Sequence, residues 1–131
     1  MVQVTAAVII KDGKILIAKR KAGGRLANKW EFPGGKLESN ETMVQCLKRE
    51  LNEEFGIEVE VDNFICMNKH RYTFDELELY AYKVNLLSGK FLLRDHDEIK
   101  WVLPSELPLY DFAEADIPVC KIVMEEYYEG I

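Results

Sequence analysis

The sequence has few of the features that mark secreted, membrane-bound or zinc-binding proteins. Its three cysteines, Cys46, Cys66 and Cys120, are isolated and odd in number, so neither a zinc ribbon nor a secreted disulfide framework is expected. The apolar N-terminal segment breaks at Lys11-Asp12-Gly13-Lys14 and is too short and too polar for a signal peptide or a membrane span. We therefore expect a cytoplasmic protein that has no membrane partner.

Positive charge is also in short supply. The chain has 17 lysines and arginines against 23 aspartates and glutamates, a formal net charge of −6. Proteins that bind a nucleic-acid polymer normally present a basic surface, so no such partner is expected. An acidic protein can still bind a polyphosphate if a cation bridges the like charges.

What remains is an ordinary globular chain. It has 131 residues, of which 48% are hydrophobic and 31% are charged, and no repeat, low-complexity tract or linker divides it. We therefore expect one domain that spans residues 1–131. Nothing in the sequence decides between a monomer and a homodimer.

Hydrophobic periodicity predicts a mixed α/β fold. Apolar residues alternate from Val2 to Ile10, Asp12-Gly13 suits a tight turn, and Ile15 to Lys19 returns as a second strand. Strands and helices interleave without a regular βαβ rhythm, which favours a mixed sheet flanked by two helices. Further strands are predicted at residues 57–61, 64–72, 77–87 and 98–103, and a closing helix at residues 117–128.

The strongest predicted helix runs from about Glu41 to Phe55. Ser39 or Asn40 is expected to cap its first amides, and Gly56 suits the left-handed position that ends a helix. At ~100° per residue, one apolar stripe is expected to face the core. Its members are Val44, Leu47, Leu51 and Phe55.

Three glutamates share one flank of this helix. Glu50, Glu53 and Glu54 are spaced i, i+3 and i+4, and like charges at that spacing in the last turn weaken a helix. Arg49 can pair with Glu53, but one guanidinium does not neutralise three carboxylates. A divalent cation would do so, and an all-oxygen site suits Mg²⁺ or Mn²⁺. The alternative is a solvated surface helix that happens to be rich in acids.

The same residues resemble a known family. Gly35, Glu41 and the segment Arg49–Ile57 fill every fixed position of the Nudix box, G-x5-E-x7-R-E-U-x-E-E-x-G-U, where U is a bulky aliphatic residue. The segments Trp30–Lys36 and Ala115–Val119 look like those of MutT-type nucleoside triphosphate pyrophosphohydrolases. The resemblance implies an α+β fold, the Nudix α/β/α sandwich, in which the Nudix helix and a C-terminal helix flank a mixed sheet.

The resemblance also implies an activity. Relatives of this type use Mg²⁺, for which Mn²⁺ can substitute, and water attacks the β-phosphorus of a nucleoside triphosphate to give the monophosphate and pyrophosphate. Clearance of an unwanted nucleotide, either 8-oxo-dGTP or dGTP-like or CTP or dCTP-like, is the implied role. Two alternatives stay open: hydrolysis of ADP-ribose or dinucleotide polyphosphates, and a non-catalytic Nudix module that binds nucleotides.

By the same resemblance, the acids of the box form the metal site. Glu53 and Glu54 are expected to be ligands together with the backbone carbonyl of Gly34. Glu50 is expected to be a ligand, the general base, or both. Asp95 stands where relatives usually carry glutamate and is a second candidate for the base. Arg49 is expected to orient Glu53.

The remaining predicted site residues bind substrate. Arg20 and Lys36 are expected to contact phosphates, and Gly35 lets the backbone pass close to them. Phe32 resembles an aromatic residue of the family's base pocket. Asp116 is expected to read an exocyclic amino group or a ring N–H of guanine or cytosine; its alternative role is the N-cap of the closing helix.

Overall fold

The computed structural model describes residues 1–127, so Tyr128, the expected last residue of the closing helix, lies outside the described residues. The strands are β1 (Val2–Lys11), β2 (Lys14–Arg20), β3 (Trp30–Glu31), β4 (Glu58–Arg71), β5 (Glu76–Ser88) and β6 (His96–Val102). The helices are α1 (Met43–Phe55) and α2 (Ile117–Glu126), and two short 3-10 turns, Pro104–Leu109 and Glu114–Asp116, precede α2.

The first hairpin forms as predicted. Asp12 and Gly13 have φ angles of 52° and 76°, the left-handed values that a two-residue hairpin turn requires. Beyond the turn, β1 and β2 pair only at Ile10 with Ile15 and at Lys11 with Lys14. The two strands then diverge, and each finds a different neighbour.

The sheet is mixed, as the sequence indicated. Its order is β3-β2-β1-β5-β4, and β6 pairs with β2 outside this path. The β1–β5 pair is parallel, whereas β1–β2, β2–β3, β2–β6 and β4–β5 are antiparallel. Strand β6 runs antiparallel to β2, so the start of β6 lies beside the end of β2. There His96 pairs with Arg20.

The core has two layers, one on each face of the sheet. In β1, Ala6 and Val8 belong to the cluster that contains Val119 and Val123 of α2. The intervening residues of β1 belong to the second cluster, which packs under α1 and includes Ala7, Ile9, Leu47, Leu51 and Phe55. Side chains alternate across a strand, so both faces of β1 are buried. The α/β/α sandwich is therefore confirmed.

Three local expectations were wrong. Residues 57–61 and 64–72 do not form separate strands, because register shifts near Phe64 let β4 run through both. Helix α1 starts at Met43, and its N-cap is Thr42, which forms a capping box with Gln45. Neither Ser39 nor Asn40 caps it, and Asn40 adopts a left-handed φ of 64°. Val44 is 40% exposed, and Cys46 takes the buried position beside Leu47.

Candidate active site

Helix α1 presents its acids beside the loop that precedes it. Its capping box satisfies the first amides, and Gly56, with φ of 70°, ends it and donates to the carbonyl of Asn52. Arg94 donates to the carbonyl of Glu53 over 2.6 Å, which places a cation at the C-terminal end of the helix dipole. Gly56 and Arg94 thus hold the C-terminal part of the helix, which carries Glu50, Glu53 and Glu54.

Arg49 is the hub of the acidic cluster. Its Nε lies 2.6 Å from Glu41, and its Nη1 lies 2.8 Å from Glu50 and 3.2 Å from Glu53. Its Nη2 also donates to the carbonyl of Lys36 over 3.0 Å. The hydrogen bond from Arg49 lowers the pKa of Glu41 to about 2. Arg49 therefore orients Glu50 as well as Glu53, and Glu41 anchors the guanidinium.

Two glycines bring the backbone against the helix. A Cβ on Gly35 would overlap the carboxyl group of Glu50, and a Cβ on Gly34 would overlap the backbone carbonyl of Thr5. The amide of Thr5 in turn donates to the carbonyl of Gly35 over 2.8 Å. Gly34 meets backbone, so the close approach there requires glycine. Gly35 meets the end of a side chain, so a larger residue there would displace the Glu50 carboxyl group. Burial raises the pKa of the Glu50 carboxyl group.

Glu54 is the buried member of the cluster. It is only 8% exposed, and its Oε1 has no hydrogen-bond partner within residues 1–127. Burial, together with the nearby carboxylates of Glu31 and Glu50, raises its pKa to about 9. A carboxyl group in this position is short of positive charge, which is what a cation would supply.

Glu31 and His96 complete a chain of polar contacts that leads to Glu54. Glu31 accepts from Nη1 of Arg20 over 3.0 Å and lies 2.8 Å from Nε2 of His96. The other ring nitrogen of His96 lies 3.9 Å from Oε2 of Glu54. Sequence analysis missed Glu31. Its signal was a lone acid between Trp30 and Phe32, just before the predicted site glycines Gly34 and Gly35.

These residues surround a cavity of about 620 Å³. Acidic and basic side chains face each other across it, so it suits an anion that a cation accompanies. Among the predicted site residues, its wall contains Arg20, Gly34, Gly35, Lys36, Glu50, Glu54 and Asp95. Glu31, His96 and Arg25 also line it. Asp95 is exposed, as is Glu53, whose side chain points to Arg49 rather than into this wall.

A second cavity of about 320 Å³ adjoins the first. It is more apolar and is lined by Phe32, Tyr72, Phe74 and Asp116 among others. Phe32 is buried and packs against Phe112, with ring centroids 5.3 Å apart. The hydroxyl of Tyr72 accepts from the amide of Ala115 over 2.8 Å and so holds the segment that carries Asp116.

Asp116 is buried in the wall of this second cavity. Its Oδ2 accepts from the amide of Phe32 over 2.9 Å, and it is 5% exposed. Burial, reinforced by the charge of Glu31, raises its pKa well above the usual range. Although Asp116 precedes α2, its side chain makes no capping hydrogen bond. The alternative role as a helix cap is therefore wrong.

The donor set fits a hard divalent cation, although it is not drawn together around one point. Within residues 1–127, no three acidic, histidine or cysteine side chains form a ready-made metal site, since Arg49 holds Glu50 and Glu53. The unpartnered buried oxygen of Glu54 supports such a cation, as does the close approach of the glycine backbone. All of these donors are oxygens, which Mg²⁺ and Mn²⁺ prefer.

Comparison with known proteins agrees with this geometry. The CTP pyrophosphohydrolase of Escherichia coli (strain K12) is 39% identical over 124 residues, which cover 95% of this chain and 92% of that protein. An 8-oxo-dGTP diphosphatase of the same strain is 34% identical over 111 residues, with coverage of 83% and 84%. None of the helices within residues 1–127 has the length and apolar character that a membrane span requires.

Solved structures give the same picture. The solution structure of the E. coli ORF135 protein matches with a TM-score of 0.86 at 38% identity, covering 95% of this chain and 89% of that chain. A MutT NUDIX hydrolase from Burkholderia pseudomallei matches with a TM-score of 0.83 at 27% identity, covering 93% and 97%. The NUDIX domain model matches residues 5–121, a range that includes all of α1. The chain therefore belongs to the NUDIX domain family.

Proposed function

We propose that the protein is a Mg²⁺-dependent hydrolase that converts a nucleoside triphosphate into the monophosphate and pyrophosphate. The observation that carries the proposal is the pair of adjoining cavities. They share a wall that consists of Arg20, Arg25, Glu31, Gly34, Gly35, Lys36 and Glu54. One side is charged and the other is aromatic, which matches a substrate with a polyphosphate at one end and a base at the other.

On the charged side, the basic residues bind the phosphates. Arg20 and Lys36 lie in the wall that the two cavities share, so their charges can reach the phosphates next to the nucleoside. Glu53 and Glu54, with the carbonyl of Gly34, are the proposed ligands of the cation, and Mn²⁺ is its proposed substitute. When bound, the cation supplies positive charge to the phosphate oxygens as negative charge builds up on them.

Glu50 is the proposed general base. It takes the proton of the water that attacks the β-phosphorus. Its pKa is raised by burial, which makes its carboxylate a stronger base than a solvated one, and the hydrogen bond from Arg49 fixes its orientation. Asp95 is exposed and has the shorter side chain, so it is the second candidate for this role.

On the aromatic side, Asp116 reads the base. Burial raises the pKa of Asp116 well above its usual range. A carboxyl group that holds a proton donates as well as accepts, whereas an ionised one only accepts. Oδ2 of Asp116 is engaged by Phe32, which leaves the other oxygen for a base edge. Guanine, oxidised guanine and cytosine all offer donors and acceptors there. The names of the two E. coli relatives support the same range of substrates and a role in cleansing the nucleotide pool.

The proposal extends to the protein's surroundings. All three cysteines are free thiols, which supports a reducing, cytoplasmic location. The acidic net charge supports a small nucleotide rather than a nucleic-acid polymer as the partner. A monomer and a homodimer are equally compatible with a site that is built from one chain.

The decisive experiment is a product analysis in ¹⁸O-labelled water with Mg²⁺. The substrates are 8-oxo-dGTP, dGTP, dCTP, CTP, ADP-ribose and diadenosine tetraphosphate. We expect selective cleavage of one triphosphate to its monophosphate, with the label in pyrophosphate because water attacks the β-phosphorus.

Each other outcome contradicts a defined part of the proposal. Label in the monophosphate would move the attack to the α-phosphorus. Turnover of ADP-ribose or of the dinucleotide alone would replace the substrate class, and no turnover of any substrate would favour a nucleotide-binding module.

A further inference from the structure

The imidazole of His96 is buried between two carboxyl groups. His96 is 3% exposed. Its Nε2 lies 2.8 Å from Oε2 of Glu31, and its Nδ1 lies 3.9 Å from Oε2 of Glu54. His96 therefore lies between Glu54, a proposed cation ligand, and Glu31, which is not proposed as a ligand.

The ring of His96 is held in a fixed orientation. It stacks on Phe55 with centroids 5.1 Å apart and an interplanar angle of 17°. Its backbone pairs with Arg20 in the sheet, and the side chain of Arg20 binds the other oxygen of Glu31 over 3.0 Å. The ring cannot turn toward Glu54 or away from it without breaking one of these contacts.

The partner at Nε2 determines what Nδ1 can do. An ionised carboxylate only accepts hydrogen bonds, so Nε2 donates to Glu31. Nδ1 faces Glu54, and it binds the ligand form of that carboxylate as a second donor of the same ring. Nδ1 of His96 and Oε1 of Glu54 are the two buried side-chain atoms without a hydrogen-bond partner within residues 1–127. Nδ1 lies 3.9 Å from Oε2 of the same Glu54 carboxyl group, which is about 1 Å beyond hydrogen-bond distance. A small rotation of the carboxyl group closes this gap.

We propose that His96 is a positioning residue for Glu54. While Nε2 binds Glu31, Nδ1 donates to one oxygen of the Glu54 carboxylate and thereby turns the other oxygen toward the cavity and its cation. The inference rests on the proposed function, in which Glu54 is a ligand. Residues that orient a ligating side chain in this way typically change metal affinity by about 10–100-fold when they are replaced.

Two amide variants test the roles of the two ring nitrogens one at a time. The side-chain amide of His96→Asn reaches the position of Nδ1, whereas that of His96→Gln reaches the position of Nε2. The readout is the dissociation constant for Mn²⁺ of the substrate-free protein, measured by electron paramagnetic resonance. We expect His96→Gln to weaken Mn²⁺ binding by about 10–100-fold and His96→Asn to weaken it by less than about tenfold.

Melting temperatures in EDTA show whether each variant is folded. His96→Phe keeps a ring against Phe55 and removes both nitrogens, so it provides a third variant if an amide disturbs the core. We expect it to bind Mn²⁺ at least as weakly as His96→Gln. A purely structural role would lower the melting temperature of all three variants and leave their Mn²⁺ affinities alike.

The possible failures are distinguishable. If the wild type binds Mn²⁺ and folded His96→Gln or His96→Phe binds it equally well, the positioning role is overturned and the proposed function stands. Equal weakening in the Asn and Gln variants also overturns the role assigned to Nδ1. If the wild type itself binds no Mn²⁺, the proposed metal dependence is overturned, and the role of His96 falls with it.

Discussion

The backbone amide of Phe32 donates a 2.9 Å hydrogen bond to the buried carboxyl group of Asp116. This contact joins the segment before the acidic helix to the start of α2 and forms one wall of the smaller cavity. It also fixes which oxygen of Asp116 remains for a ligand. The proposed base reading therefore depends on a contact between two segments 84 residues apart.

Replacement of Asp116 tests this reading. An asparagine keeps an acceptor for Phe32 and offers an amide donor to the base, so Asp116→Asn is expected to keep kcat/KM within about tenfold for the preferred triphosphate. Asp116→Ala leaves the Phe32 amide unpaired, which costs about 1–3 kcal/mol. It also removes the base contact, so kcat/KM is expected to fall by about 100-fold or more.

The measurement is kcat/KM for each triphosphate of the substrate panel, with the melting temperature as the control for folding. Loss of discrimination between bases in the alanine variant would accompany the fall in rate. Unchanged selectivity in Asp116→Ala would show that this carboxyl group does not read the base.

The raised pKa of Glu54 gives the metal-free protein a specific pH dependence. Its pKa is about 9 in the folded protein and 4.5 in the unfolded chain. Between these values the folded state holds a proton that the unfolded state has lost, so the free energy of unfolding decreases as pH rises. The slope reaches at most about 1.4 kcal/mol per pH unit. Glu54→Gln lacks this proton and avoids the decrease.

The test is thermal unfolding of both proteins in EDTA from pH 5 to pH 9. We expect the melting temperature of Glu54→Gln to exceed that of the wild type by a margin that grows with pH. In a second series, with Mg²⁺ in place of EDTA, we expect the cation to stabilise only the wild type. A margin that stays constant over this range would mean that Glu54 titrates normally.

Alanine variants of Gly34 and Gly35 are expected to differ in what they lose. In Gly35→Ala the new Cβ meets the end of the Glu50 side chain, which can move, so activity is expected to fall at least tenfold with little change in melting temperature. In Gly34→Ala the new Cβ meets the backbone of Thr5, which cannot move easily, and overpacking of this kind costs about 1–3 kcal/mol.

Each glycine variant is the control for the other. Circular dichroism melts and initial rates, measured on the same samples, separate the two effects. A lower melting temperature for Gly35→Ala than for Gly34→Ala would show that the assigned contacts are wrong.

The choice between Glu50 and Asp95 as general base is also open to direct measurement. We expect Glu50→Gln to lower kcat by about 10²–10⁴-fold, the usual contribution of general base catalysis. Asp95→Asn is expected to lower it by less than about tenfold. The pH profile of kcat/KM should lose its acidic limb only in the Glu50 variant, and the reverse ranking would assign the proton transfer to Asp95.

The sequence predicted the parts of the site that lie close together along the chain. The acids of α1, the glycines before it and the cap at Gly56 could be inferred because helical periodicity and backbone requirements act over a few residues. The mixed sheet with flanking helices followed from the order of strands and helices, and the α/β/α sandwich followed from the family resemblance.

The parts that were missed depend on contacts between distant segments. Glu31 acquires its role only because β3 and β6 both pair with β2, which brings His96 beside it. Val44 is exposed although helical spacing alone places it in the apolar stripe, because packing against the sheet buries the flank of α1 that carries Cys46 and Glu54 instead. The N-cap is Thr42 rather than Ser39 or Asn40, since the reciprocal bond with Gln45 outweighs a single capping side chain.

The most direct measurement is the rate of pyrophosphate release as a function of Mg²⁺ concentration for the wild type, Glu53→Gln, Glu54→Gln and Glu60→Gln. Glu60 is an exposed glutamate in β4 outside both cavities, so it controls for the loss of one charge.

We expect saturable dependence on Mg²⁺ in the wild type and in Glu60→Gln. Glu53→Gln and Glu54→Gln are each expected to lose about three orders of magnitude, since stabilisation of phosphate charge contributes several kcal/mol. Wild-type turnover that persists in EDTA, or near-normal rates in both the Glu53 and Glu54 variants, would contradict a metal-assisted phosphoanhydride hydrolase built on the acids of α1.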